Sequence, residues 1–207
     1  MSVDPAALHA ALTRLPGLDG LAASDLHPMP LKGVAHDHVR LAGRGLVARI
    51  PRWSQMGLDP AAALEHQATA FRRAEPCGHT PPLAAVLPPG DGLPMGALLV
   101  REIAGRPPRL PGDMASVARA LAALHSLPLP APQDRPPLPA PADPVAATLA
   151  VVERQAEWFA RAGLSAAAAG AVAAELEEAR RFQRDPRLRD RPMPVTAVGS
   201  DTHPAIS

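Results

Sequence analysis

The chain has 207 residues and a formal net charge of +1, from 21 basic and 20 acidic side chains. This near balance excludes a surface field of one sign, so we expect neither nucleic acid nor a membrane as a partner. The single cysteine, Cys77, excludes an internal disulfide and fits a cytoplasmic protein. We also expect no signal peptide and no membrane span, since no apolar run approaches about 18 residues.

The N-terminal half predicts one helix followed by strands. A helix is expected from Asp4 to Gly17, because the acid caps the helix and Pro5 suits its first position. Residues 29–51, MPLKGVAHDHVRLAGRGLVARIP, contain short apolar runs separated by turn residues at 33–37 and 42–45. This pattern predicts a three-stranded antiparallel meander.

A second helix and two more strands are predicted next. The helix runs from Asp59 to Pro76, with Leu64 and Phe71 on one face. The strands are expected at 83–87 and 97–103, and the first of them ends in a turn rich in proline and glycine.

The remaining sequence is helical in pattern, with helices expected at 113–127, 143–163 and 165–183. Residues 128–144 form a proline-dense linker that suits neither a helix nor a central strand. Strands with one helix, followed by helices alone, indicate an α+β fold with two unequal lobes.

Three strings, in this order, resemble the aminoglycoside phosphotransferase-like kinase family. LVARIP (46–51) is similar to the third strand of a kinase N-lobe, and SVARALAALHSLP (116–128) to a family helix that ends in Leu-His-x-Leu-Pro. GSDTHP (199–204) is similar to the start of the catalytic loop, usually H-G-D-x-H-P-x-N. The resemblance covers about residues 25–207 and corresponds to only the first half to two-thirds of such an enzyme.

The resemblance implies a protein-kinase-like N-lobe, with a five-stranded antiparallel sheet and one helix, followed by an incomplete helical C-lobe. The implied division is an N-terminal helix in 1–24, a nucleotide-binding N-lobe in 25–106, and a partial C-lobe in 107–207 that contains the linker 128–144.

The same resemblance implies residue roles in the N-lobe. Arg49 matches the basic residue that steadies the nucleotide phosphates, and Glu65 is the best-placed acid to hold it, with Gln67 and Glu75 as alternatives. The turn that contains Gly33 would cover the phosphates with backbone N–H groups. The hinge that hydrogen-bonds adenine through its backbone would comprise Arg101, Glu102 and Ile103.

At the C-terminal end, Asp201 matches the catalytic aspartate that orients the acceptor hydroxyl, and His203 matches the histidine that follows it. The family pattern is interrupted here, because its first histidine is replaced by Gly199 and its magnesium-binding asparagine falls at Ile206. ATP and Mg²⁺ are implied by the resemblance, but the metal site is incomplete and we assign no metal ligand. We therefore expect the N-terminal portion of a phosphotransferase, catalytically impaired, whose last helices keep their apolar faces partly wet.

The function implied by the resemblance is ATP-dependent phosphoryl transfer to the hydroxyl of a small-molecule alcohol. The main alternative is a pseudokinase that binds a nucleotide without turnover. A zinc site at His36, His38, Cys77 and His79 is less favoured, because no C-x-x-C or H-E-x-x-H motif is present. RPPLPAP (135–141) could dock as polyproline II, although a linker needs no partner.

Overall fold

The computed structural model describes residues 4–31, 33–90, 92–138, 140–189 and 196. These residues fall into two compact units. The sheet unit comprises residues 4–131 together with Thr196, and the helical unit comprises residues 132–189.

The sheet unit is built on one five-stranded antiparallel sheet with the order β1-β2-β3-β5-β4. Its strands are β1 (Leu26–Pro28), β2 (His36–Leu41), β3 (Leu46–Pro51), β4 (Leu83–Leu87) and β5 (Ala97–Arg101). With helices following the sheet, the prediction of an α+β fold is confirmed.

The described α-helices are α1 (Pro5–Leu12), α2 (Pro60–Ala74), α3 (Met114–His125), α4 (Pro144–Phe159), α5 (Ala166–Gln183) and α6 (Pro186–Arg189). Four of them, α1, α2, α4 and α5, begin where the sequence predicts, and a short polar side chain caps each of them. Asp4, Asp59, Asp143 and Ser165 each accept a hydrogen bond from a backbone N–H of the first turn, at 2.8–3.2 Å. None of the helices in the described part of the chain combines the length and apolar character needed to cross a bilayer.

One face of the sheet carries the larger apolar core and packs against α1. Full burial of a Leu, Ile or Val side chain stabilises a fold by about 1.5–3 kcal/mol, so this face supplies most of the packing energy of the sheet unit. Its largest fully buried side chains are Leu8, Leu12, Val39, Leu41 and Ile50.

The opposite face is covered by α2 and has a smaller apolar core. Leu64 and Ala68 of α2 are buried against Leu98 of β5, and Phe71 packs partly buried beside them. This thinner layer leaves the half of the sheet around β2 and β3 to polar side chains.

Several element bounds differ from the sequence prediction. The first strand of the meander is Leu26–Pro28 and lies before Met29, because pairing with Val39–Leu41 of β2 decides which residues become a strand. His36 and Asp37 join β2, so the predicted turn at 33–37 is shorter. Two elements are shorter at their C-terminal ends than the sequence predicts: α1 stops at Leu12 and β5 stops at Arg101.

A buried ion pair fixes the connection between β1 and β2. Arg52 Nη2 donates to Asp37 Oδ1 at 2.7 Å, and the Asp37 side chain is only 4% exposed. The Arg52 backbone N–H also donates to the Ala35 carbonyl oxygen at 2.8 Å. The segment that contains Gly33 is therefore tied to the end of β3.

The helical unit consists mainly of α4 and α5. Arg180 Nε donates to Glu153 Oε1 at 2.8 Å and joins the two helices. The groove between them has a volume of about 570 Å³ and is lined partly by Leu149 and Phe182. Trp158 is 59% exposed and Phe182 is 56% exposed, in agreement with the expectation of partly wet apolar faces.

A glycine in the turn before β5 yields a stability prediction. Gly96 has φ +66°, and a Cβ there would lie 2.5 Å from the Leu87 carbonyl oxygen and 2.8 Å from Leu64 Cδ2. We expect Gly96→Ala to lower the free energy of unfolding by about 2–4 kcal/mol, because left-handed strain and overpacking add. Urea unfolding followed by circular dichroism measures the loss.

The matched control is Gly43→Ala. Gly43 has φ +70° but no heavy atom within 4 Å of the added Cβ, so its cost is the backbone strain of about 1–2 kcal/mol alone. Equal losses in the two variants would show that close packing at Gly96 contributes nothing.

Candidate functional site

The candidate site is centred on Arg49 in the middle of β3. Strand alternation sends the neighbouring Ala48 and Ile50 into the core on the α1 side, so Arg49 points to the α2 side. Its cross-strand partners are His38 of β2 and Leu98 of β5. A cation is thereby held on the inner strand of the sheet, where neighbouring strands shield it from water.

The guanidinium of Arg49 stacks on an aromatic ring, and the side chain is half-buried. Its Cζ lies 5.1 Å from the centroid of the Phe71 ring, within the range of a cation–π contact. Its Nε is buried and has no hydrogen-bond partner. Burial lowers the pKa of Arg49, but a guanidinium stays protonated in proteins. No ion pair to Arg49 occurs among the described residues.

His36 and His38 lie on the same sheet face as Arg49. Their ring centroids are 6.2 Å apart, and His36 Nε2 is 2.9 Å from Gln67 Oε1 on α2. Burial is the main cause that lowers the pKa of His36, and the charge of Arg49 lowers it further. The hydrogen bond to Gln67 opposes both effects without cancelling them. His36 is thus neutral at neutral pH.

Glu65 does not form the predicted ion pair with Arg49 in the described part of the chain. Its Oε1 accepts from Thr69 Oγ1 at 2.9 Å and from Arg72 Nη1 at 3.4 Å, and its side chain is 57% exposed. The position on α2 that faces the polar part of the sheet is occupied by Gln67. Of the alternatives that the sequence left open, Gln67 is therefore the one that lies at the site.

Gly33 lies in the segment that connects β1 to β2, just before β2 begins at His36. Nothing lies within 4 Å of the place that a Cβ would take on Gly33, so this backbone is open. Its position is compatible with a phosphate-covering turn, and that role stays a prediction.

Only part of the backbone of the predicted hinge is free to form hydrogen bonds with a ligand. The N–H of Arg101 donates to the Pro82 carbonyl at 2.9 Å, and the N–H of Glu102 donates to the Gly45 carbonyl at 2.9 Å. Among the described residues, the Ile103 N–H makes no hydrogen bond, and its side chain is 62% exposed. Within this stretch, only Ile103 could offer an amide to a base.

Asp201 and His203 lie outside the described residues, so their predicted roles stay predictions. Thr196, the residue described nearest to them, donates from Oγ1 to the His125 carbonyl at 2.6 Å. This contact places Thr196 itself at the C-terminal end of α3. The described ranges contain no group of three His, Cys, Asp or Glu residues that could hold a metal ion.

The sequence indicated Arg49 but not its surroundings. The sequence pattern places His36 and His38 on one strand face and suggests them as metal ligands, but it does not place them beside Arg49. It places Phe71 on one face of α2 with Leu64, and in the structure the Phe71 ring also stacks on the guanidinium. The pairing of β2 with β3 brings these groups together, and register is a property of the folded sheet.

Comparison with known proteins finds similarity in structure but not in sequence families. No protein-family model and no curated protein sequence matches the chain. Among solved structures, it is similar to a choline/ethanolamine kinase family protein from Mesorhizobium loti, at 22% identity and a TM-score of 0.42. The match covers 76% of this chain and 52% of that protein, so the chain spans about half of its length.

The lowered pKa of His36 predicts a pH-dependent stability. The folded pKa lies below the ordinary value of 6.5, so the contribution of neutral His36 is complete above pH 6.5. It is lost as the pH falls below that value, because the unfolded chain binds the proton first. We expect melting temperatures measured from about pH 8 to about pH 5 to fall less in His36→Gln than in the wild type.

The control variant is His79→Gln, since His79 is exposed in the segment before β4. It should follow the wild-type profile. If His36→Gln also follows it, burial does not disfavour the charged form of His36.

Proposed function

We propose that the sheet unit binds the phosphates of a nucleotide, as the N-lobe of an aminoglycoside phosphotransferase-like kinase. The proposed activity class is ATP-dependent transfer of a phosphoryl group to the hydroxyl of a small-molecule alcohol. The observation that carries the proposal is the half-buried guanidinium of Arg49, which has no counterion among the described residues.

A buried cation without a partner is costly. Removing a charge from water disfavours the fold unless hydrogen bonds or an opposite charge compensate. The Phe71 ring compensates Arg49 only partly, since a cation–π contact contributes about 0.5–2 kcal/mol. An anion with several oxygens, such as a phosphate, would satisfy the free guanidinium N–H groups with charge-assisted hydrogen bonds.

Other features on the same unit support a nucleotide over a simple anion. The Ile103 amide and the carbonyl groups next to it are suited to an adenine edge. Thr196, which precedes GSDTHP by three residues in the sequence, contacts the carbonyl of His125 in the second string that resembles the kinase family. A cytoplasmic location, where a lone thiol such as Cys77 stays reduced, fits this proposal.

The described residues are better suited to bind a nucleotide than to bind the Mg²⁺ ion that would accompany it. Arg49 supplies the charge that a phosphate requires, whereas the described ranges contain no cluster of metal-binding side chains. Mg²⁺ would neutralise the phosphates when bound. Transfer to an alcohol would depend on Asp201 and His203, which the sequence alone indicates.

A second candidate function is nucleotide binding without turnover, as in a pseudokinase. The observation that favours it is the engagement of Glu65 with Thr69 and Arg72. In protein kinases an active site requires the ion pair between the β3 lysine and a helix glutamate. Here the cation on β3 has no such acid among the described residues.

The test of nucleotide binding uses Arg49→Met. We expect ATP affinity to fall about 10- to 100-fold, because charge-assisted hydrogen bonds of about 1.5–3 kcal/mol are lost. The melting temperature without ATP should stay equal or rise, because an uncompensated buried charge is replaced by an apolar chain of similar length. Calorimetric titration gives the affinity, and thermal unfolding with and without ATP gives the stability.

The matched control is Arg44→Met, which removes the same charge from the exposed turn between β2 and β3. It should bind ATP like the wild type. Unchanged ATP affinity in Arg49→Met, together with a lower melting temperature, would show that Arg49 is structural and would overturn the proposal.

Assays for turnover separate the two candidate functions. ADP release in the presence of Mg²⁺ and small alcohols is expected from a phosphotransferase, and Asp201→Asn should abolish it. ATP binding with no ADP release, identical in wild type and Asp201→Asn, would select the pseudokinase.

A further inference from the structure

We propose that His36 is a second phosphate-binding residue of the Arg49 site, and that it binds in its protonated form, so that nucleotide binding takes up a proton. This inference rests on the proposed nucleotide site and names a regulation of that site: affinity that rises as the pH falls below neutrality.

The sheet register places the relevant groups together. His38 is directly opposite Arg49 in the ladder between β2 and β3, and His36 lies two residues away on the same face. The His36 and His38 rings are 6.2 Å apart. A phosphate that contacts Arg49 from the α2 side would therefore meet imidazole groups at its flank.

The hydrogen bond from His36 determines which atom takes the proton. Gln67 Oε1 can only accept, so His36 Nε2 carries the hydrogen and Nδ1 is the unprotonated nitrogen of the neutral ring. Protonation at Nδ1 adds a new donor and a positive charge without breaking the contact with Gln67. The helix thus holds the ring in one orientation in both protonation states.

The electrostatic effect that His36 experiences from its surroundings would reverse when an anion binds. Its own strand contributes His38, β3 contributes Arg49, and α2 contributes the neutral Gln67. In the free protein, burial and the positive Arg49 oppose a charge on His36. A phosphate between the two residues would offset Arg49 and favour the imidazolium. Proton uptake and phosphate binding therefore favour each other.

The test measures ATP affinity of the full chain from about pH 5.5 to about pH 8.5, without Mg²⁺, by calorimetric titration. In the wild type we expect affinity to fall about tenfold more across this range than in His36→Gln. The terminal phosphate of ATP also titrates near pH 6, and its contribution is common to both proteins. His79→Gln serves as the exposed-histidine control and should retain the wild-type slope.

A second measurement uses the wild-type chain alone, so it does not depend on the behaviour of a variant. The pKa of His36, followed by NMR of its ring in the wild-type chain, should rise on addition of ATP. An unchanged pKa, or parallel affinity profiles for wild type and His36→Gln, would overturn the inference while nucleotide binding stands. Absence of ATP binding at every pH would overturn the proposed function, and this inference with it.

Discussion

The placement of a permanent positive charge inside the sheet unit is the constraint on which the site depends. Arg49 occupies the inner strand β3, where its side chain is half-buried and the guanidinium cannot lose its proton. The Phe71 ring covers one face of the guanidinium, but its Nε has no partner. One side of the sheet therefore carries a cation for which the described residues supply no opposite charge, and the proposed anion site follows from that cost.

The two faces of the sheet differ in how much packing they contribute to stability. The α1 side carries the larger apolar core, and at its edge the buried Asp37 carboxylate is paired with Arg52. The α2 side buries fewer side chains and places a histidine, an amide and a cation where core residues would otherwise lie. The first face can sustain the fold while the second remains costly, which is how proteins commonly accommodate strained functional sites.

Local signals in the sequence were sufficient for most of the elements, but not for the site. The caps at Asp59 and Asp143 and the apolar run LVARIP, bounded by turn residues, predict α2, α4 and β3, because these features act within a few residues. The choice between Glu65 and Gln67 depends on how α2 is rotated against the sheet, and β1 depends on its partner strand. Such features follow from long-range packing, which spacing along the chain does not encode.

Arginine and histidine have complementary roles at a site of this kind. A guanidinium stays charged at every physiological pH, so Arg49 would make anion binding permanent but insensitive to protons. An imidazole whose pKa is lowered by burial, as that of His36 is, stays neutral at neutral pH and gains a charge in acid. Because His36 Nε2 contacts Gln67 Oε1, a further proton would add at Nδ1 and leave that contact in place. In the proposed site, a fixed cation beside a conditional one would hold a phosphate at neutral pH and hold it more tightly in acid.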